Sequence, residues 1–187
     1  MGDPTIVGAS ARDRIARRAA RELRDGFQVG LGEGLPALVA GWVPAGVAVV
    51  RPSGEGAEAP TAPEAPLDLI IVGAGQVSEH GDLAGGPGAD KAGGGGRMAD
   101  MIARAKRVVV IAEHTAEDGS PRLRRECSLP VSGRGVVHRI VTELATIDVT
   151  PDGLLLREVA PGVSARDVQE KTEPTLRISL DLSTMTF

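Results

Sequence analysis

A glycine-rich turn, Gly32-Glu33-Gly34-Leu35-Pro36, is the first place in this chain where residue type and spacing suggest chemistry. It follows an apolar run from Phe27 to Leu31 and leads into Pro36 to Trp42, a helical segment with proline in its first turn. Strand, tight turn and helix in that order form a cradle for a phosphate or acyl group, because the helix start offers unpaired N–H groups and glycine permits close backbone approach. A second apolar run, Leu67 to Val72, feeds Gly73-Ala74-Gly75 in the same way. Glycine accounts for 25 of the 187 residues, well above the usual ~7%, so many turns must bring backbone close to something. Other reactive side chains promise less. His80 and His138 lack metal-ligand spacing with each other or with Cys127, so no metal site is expected. Cys127, the only cysteine, excludes an internal disulfide and reads as a packed small residue whose nearest charges in sequence are Arg124 and Arg125. His114, just after the run Val108 to Ala112, reads as an orienting or structural histidine.

The elements that must hold these turns follow from the pattern of apolar residues. Ser10 and Asp13 form a capping-box variant, and Ile15, Ala16, Ala19, Ala20 and Leu23 recur at helical spacing up to about Asp25, with Gly26 as a left-handed stop. Arginines 12, 14, 17, 18, 21 and 24 then fall on the remaining, solvated face. Phe27–Leu31, Gly46–Val50, Leu67–Val72 and Val108–Ala112 read as strands, with a helix from Met98 to Ala105 before the last. Runs this continuously apolar are buried on both faces, which predicts an α/β fold: an open, mostly parallel sheet flanked by helices. Residues 51–66, rich in Pro, Ala and Glu, cannot bury a core and read as an exposed loop, and 85–96 is a second, glycine-rich loop. Pro151-Asp-Gly153 is a turn between strands, and Ser164 to Lys171 is a short capped helix. The whole, 1–187, is expected to be one domain.

Composition removes several function classes. A formal net charge of −4 and three aromatic residues (Phe27, Trp42 and Phe187) provide neither the cationic surplus nor the stacking platform of a nucleic-acid binder. No apolar run approaches the ~18 residues that cross a bilayer, and the start of the chain lacks the pattern of a secretory signal, so the cytoplasm is the expected location.

Ordered blocks along the chain carry a resemblance. They are Ile15 to Gly26, Leu31-Gly-Glu-Gly-Leu-Pro36, Gly73-Ala-Gly-Gln-Val-Ser-Glu-His-Gly-Asp-Leu-Ala84, Ala105 to Val108, and Glu113-His-Thr115. Further on come Cys127-Ser-Leu-Pro130, Asp148 to Leu154, and Ala160-Pro-Gly-Val-Ser164. Together they resemble the B (β) subunit of family I CoA-transferases, the 3-oxoacid and acetoacetate type. The resemblance implies a partner A (α) subunit, a site at the subunit junction, and coenzyme A entering as a substrate thioester with no metal. It also implies covalent catalysis: a glutamate attacks an acyl-CoA, CoA returns onto the resulting anhydride, and a glutamyl-CoA thioester passes CoA to a second carboxylic acid. Gly73 and Ala74 match the block that stabilises the oxyanion. Gly32, Gly34 and Gly54 are the further candidates for substrate or oxyanion contact, and Gln76 and Asp82 stand just beyond the Gly73–Ala74 turn.

Two departures matter. Where the family reads Ser-Glu-Asn-Gly with Glu as nucleophile, this chain reads Ser53-Gly54-Glu55-Gly56, so Gly54 holds the nucleophile's place and Glu55 lies one residue later. In extended backbone that shift turns the carboxylate to the opposite face unless the flanking glycines twist it back. The family's long stretch after this motif is also missing, which opens the site to water or to a different substrate. Glu33, where the family has an apolar residue, offers a second carboxylate as relocated nucleophile or general acid/base, particularly if buried. The expected function is the B half of a CoA-transferase acting on short acyl- or 3-oxoacyl-CoA with Glu55 as displaced nucleophile. A repurposed member (decarboxylase, hydrolase or other acyl rearrangement) using Glu33, and a non-catalytic partner subunit, are the alternatives.

Overall fold

The structure is a computed structural model that describes residues 10–51, 66–85 and 96–187. The expected loops at 51–66 and 85–96, and with them Gly54 and Glu55, lie almost wholly outside the described residues.

Helix α1 (Ala11–Ala20) starts at the expected capping box: Ser10 Oγ accepts from the Asp13 N–H at 3.1 Å while the Asp13 carboxylate accepts from the Ser10 N–H at 3.2 Å. It ends five residues before Asp25, because its last turn tightens into three-residue bonds from Glu22 N–H to Ala19 O and from Leu23 N–H to Ala20 O. Gly26, at φ 80°, instead shapes the entry to β1 (Gln28–Leu31) and donates to Gly46 O. The segment after the first glycine turn is a 3-10 helix, Leu35–Trp42. Next come β2 (Ala48–Val50), β3 (Leu69–Gly73), β4 (Gln76–Ser78) and β5 (Leu83–Ala84), then α2 (Gly96–Arg104) and β6 (Val108–Ile111). Strands β7 (Leu123–Arg124), β8 (Val131–Gly133), β9 (Arg139–Val141), β10 (Ala145–Thr150) and β11 (Gly153–Val159) precede α3 (Ala165–Glu170) and β12 (Arg177–Thr184).

The main sheet has the order β12-β11-β10-β9-β6-β3-β1-β2. β2, β1, β3, β6 and β9 pair in parallel, β10 is antiparallel to β9 and β11, and β12 returns parallel to β11. The expected α/β class with a mostly parallel sheet is what the structure has. Period-two alternation divides the buried strands between two cores. Ile70 and Val72 of β3 and Val108 and Val110 of β6 meet Met98, Met101 and Ile102 of α2 on one face. Leu69, Ile71, Val109 and Ile111 meet Ile15, Ala16 and Ala19 of α1 on the other. Each fully buried aliphatic side chain stabilises the fold by about 1.5–3 kcal/mol, so these four-residue runs anchor the sheet. Gly30 of β1 is required by this packing: a Cβ there would lie 2.9–3.0 Å from Ile70, Leu67 and Met101 side-chain atoms.

Two features depart from the sequence reading. A second sheet, β7-β4-β5-β8, was not anticipated, because strands of two or three residues carry no periodic signal. Nor is the arginine face of α1 all solvated. Arg18 is only 5% exposed and pairs with Glu158 of β11 and with Glu22 at 2.8 Å. The Glu22 carboxylate, its side chain 7% exposed, also receives Arg139 Nη1 at 2.8 Å and has Arg107 at 3.6 Å. Burial alone would raise the Glu22 pKa, but Arg139 and then Arg18 outweigh it and hold the carboxyl below its ordinary value.

Candidate active site

The chain reverses its direction of travel across the sheet at β1. β2 lies on one side of it and β3 on the other, with β6 and β9 continuing outward beyond β3. A crevice therefore opens where the carboxyl ends of β1 and β3 diverge, the usual ligand position in open α/β sheets. It is a cleft of about 140 Å³. Glu33, Leu35 and Pro36 come to it from the turn after β1, and Gly73 and Ala74 from the end of β3. Ile111, Ala112 and Glu113 reach it from the end of β6, Arg12 from the first turn of α1, and Arg122 from just before β7.

The two glycine turns singled out in the sequence thus meet at one cleft. Gly34, at φ 73° and ψ −126°, adopts backbone that L side chains avoid, and its carbonyl accepts from Ala37 N–H at 3.1 Å, which starts the 3-10 helix. The Ala74 N–H, just past the end of β3, has no backbone carbonyl partner among the described residues, as an oxyanion donor requires. Gly32 differs from the expectation. Its N–H donates to Ile71 O at 2.9 Å as part of the β1–β3 pairing, so it offers no donor to a substrate. Glu33 lines the cleft but is exposed, so the burial that would have strengthened its acid/base role is absent. Gln76 is engaged elsewhere: its Oε1 accepts from the N–H groups of Ser128 (2.8 Å) and Leu129 (3.1 Å), and its Nε2 donates to Ser128 Oγ at 2.9 Å. It holds the 128–129 loop beside β4. Asp82 is likewise engaged, accepting from Gly135 N–H at 2.9 Å.

Sequence reasoning missed Arg12, Glu113 and Arg122. Arg12 Nε lies 3.4 Å from Glu113 Oε1, an exposed pair of small energetic weight that still fixes charge at the cleft mouth. Arg122 is held through carbonyls, donating from Nη1 to Gly75 O (3.1 Å) and from Nε to Thr115 O (3.4 Å). Glu113 was findable, since it follows an apolar strand directly, just as the Gly73 turn does. Arg122 was not, because it reaches the cleft only through the Thr115–Pro121 bridge.

His114 has the structural role expected of it. Fully buried, it places Nδ1 2.9 Å from Thr142 Oγ1 and Nε2 2.9 Å from Thr172 Oγ1. Thr172 Oγ1 already donates to Val168 O at 2.8 Å, so it accepts from Nε2–H, and Nδ1 accepts from Thr142. The neutral imidazole satisfies both contacts. Burial, and then the charge of Lys171, lower its pKa to about 4. The ring thereby anchors the segment that presents Glu113. Cys127 is half-buried, and burial followed by the Asp82 charge raises its thiol pKa, so the nearby arginines do not activate it. No group of three or more His, Cys, Asp or Glu suited to a metal occurs among the described residues, and no helix among them is long and apolar enough to cross a membrane.

Known proteins share this architecture and sequence. Residues 59–171, more than half of the chain, match the family model described as Coenzyme A transferase. The B subunit of a succinyl-CoA:3-ketoacid coenzyme A transferase from Helicobacter pylori is 35% identical over 208 residues, covering 90% of this chain and 100% of that protein. The beta chain of the acetate CoA-transferase of Escherichia coli (strain K12) is 32% identical over 210 residues, covering 93% and 97%. An alignment of 208 residues exceeds this chain's 187, so the relative has positions with no counterpart here, in keeping with the expected shortening. Among solved structures, an acyl-CoA transferase from E. coli O157:H7 in a thioester complex with CoA superposes with a TM-score of 0.74 at 24% identity, over 98% of this chain and 44% of that one. The decarboxylase AibA/AibB superposes with a TM-score of 0.68 at 16% identity, over 95% and 89%. At these identities the structural likeness speaks to the fold.

Proposed function

This chain belongs to the coenzyme A transferase family, and from that premise we propose that it is the B half of a two-subunit enzyme exchanging CoA between a short acyl- or 3-oxoacyl-CoA and a carboxylic acid. The observation that carries this reading is the meeting, at the β1/β3 switch point, of a carboxylate-bearing turn with the Gly73–Ala74 turn. A glutamate carboxylate attacks the thioester carbon, and the developing oxyanion faces the Ala74 N–H. Collapse of the adduct breaks the C–S bond, leaving an acyl-glutamyl anhydride and CoA thiolate. The thiolate then attacks the glutamyl carbonyl, releasing the first acid as carboxylate and leaving glutamyl-CoA, and a second acid reverses the two steps. Glu55 is the nucleophile in this reading, in the 51–66 segment that follows β2 in sequence, while Glu33 is the resident acid of the cleft. The cleft is open on this chain alone, and the A subunit supplies its missing wall and excludes water. CoA is the substrate carrier, and the reaction as written needs no metal.

The substitution of Gly54 at the nucleophile's position favours one other reading: an acyl-CoA reaction with no glutamyl-CoA intermediate, in which Glu33 acts as general acid or base. The test is acyl-CoA exchange by the A/B complex carrying Glu55→Gln or Glu33→Gln. Loss of the covalent nucleophile is expected to lower kcat by at least about 10³-fold. A complex that keeps full exchange with both substitutions in place overturns both assignments.

A further inference from the structure

A second cavity, of about 560 Å³, lies at the end of the sheet away from the cleft. Phe27 just before β1, Leu69 at the start of β3, Arg107 just before β6 and Arg139 at the start of β9 all border it, so it sits at the amino ends of the parallel strands. Helix α1 links the two places, with Arg12 of its first turn at the cleft and Arg18 and Arg21 of its other end at the cavity. The rise from Arg12 to Arg21 is about 14 Å at 1.5 Å per residue.

Charge in this cavity is unbalanced. Among the described residues, five guanidinium groups and three carboxylates line it. Arg18 and Arg139 are committed to Glu158, Glu22 and Asp148. Asp68 is neutralised by Lys106 Nζ at 2.7 Å and accepts from Gln28 N–H at 3.0 Å. Arg21 and Arg24 have no carboxylate partner among the described residues, and Arg107 has only a 3.6 Å claim on the already shared Glu22. The Glu22 network fixes the surrounding frame, so these three cations border a cavity whose floor is organised before any ligand arrives. Guanidinium groups present several donors in a planar fork that matches phosphate oxygens, and the volume admits a phosphate ester as readily as the free ion.

We propose that this cavity binds a phosphate-bearing anion through Arg21, Arg24 and Arg107, at a site separate from the cleft. The full chain, purified with its A subunit, is titrated calorimetrically with inorganic phosphate at ionic strength held constant with chloride. The expected result is saturable binding of one phosphate per chain, weakened at least tenfold by Arg21→Ala with Arg24→Ala. Both residues are exposed, so the double variant should fold. Repeating the titration with CoA present separates the two sources of the phosphate group: competition assigns the cavity to phosphates of CoA, and additive binding assigns it to a free phosphate or another ester. Heat no greater than the chloride control, or binding that survives the double substitution, overturns the proposal.

Discussion

A carboxylate attacks a thioester only when the oxyanion it creates meets a donor already in place, and at the residue scale the turn bearing Glu33 and the turn bearing Ala74 line the same cleft. What could be read in the sequence were turns at strand ends: those bearing Glu33 and Gly73–Ala74 follow β1 and β3 and line one cleft. What could not be read were side chains whose partners lie far along the chain. Gln76 is taken by Ser128 and Gly32 by Ile71, contacts that no local spacing reveals. His114 gives a pH test at this scale. Its pKa falls from an unfolded value near 6.5 to about 4 when folded, so the unfolded chain binds more protons between those values. Stability is full above about pH 6.5 and declines as pH drops toward 4, by about 3 kcal/mol in total. Denaturant unfolding of wild type and His114→Asn between pH 7 and 4 checks this: the wild-type slope should be largely absent in the variant.

Elements were most legible where burial dictates composition. The apolar runs that became β3 and β6 are buried on both faces, with alternate residues of Leu69–Val72 and Val108–Ile111 in the two cores. The ends of elements were less so. α1 stops at Ala20 because its last turn tightens, and the Pro36 segment winds as a 3-10 helix entered from Gly34 at φ 73°, a conformation that L side chains avoid. Gly34→Ala should therefore destabilise the fold by about 1–2 kcal/mol through backbone strain alone, since nothing lies within 4 Å of the added methyl. The same change should disturb the turn that carries Glu33. Thermal unfolding and exchange kinetics measured together check both effects, and an unchanged melting temperature would mean that this turn is not under the strain described.

At the scale of the whole molecule, two ends of one sheet have different work. The carboxyl ends hold an open cleft that needs a partner, while the amino ends are tied together by buried charge around Glu22. Removing that carboxylate leaves Arg18 buried with one partner fewer, so Glu22→Ala should cost about 3–5 kcal/mol, whereas Arg12→Ala at the exposed cleft pair should cost under about 1 kcal/mol. Urea denaturation of the two variants distinguishes them. The central claim is covalent exchange through a glutamate of this chain. Its most direct measurement is borohydride reduction of the A/B complex during incubation with acyl-CoA, followed by peptide mass spectrometry. The account predicts a glutamyl thioester reduced to the alcohol at Glu55 or Glu33, and turnover with every glutamate of the chain unmodified would contradict it.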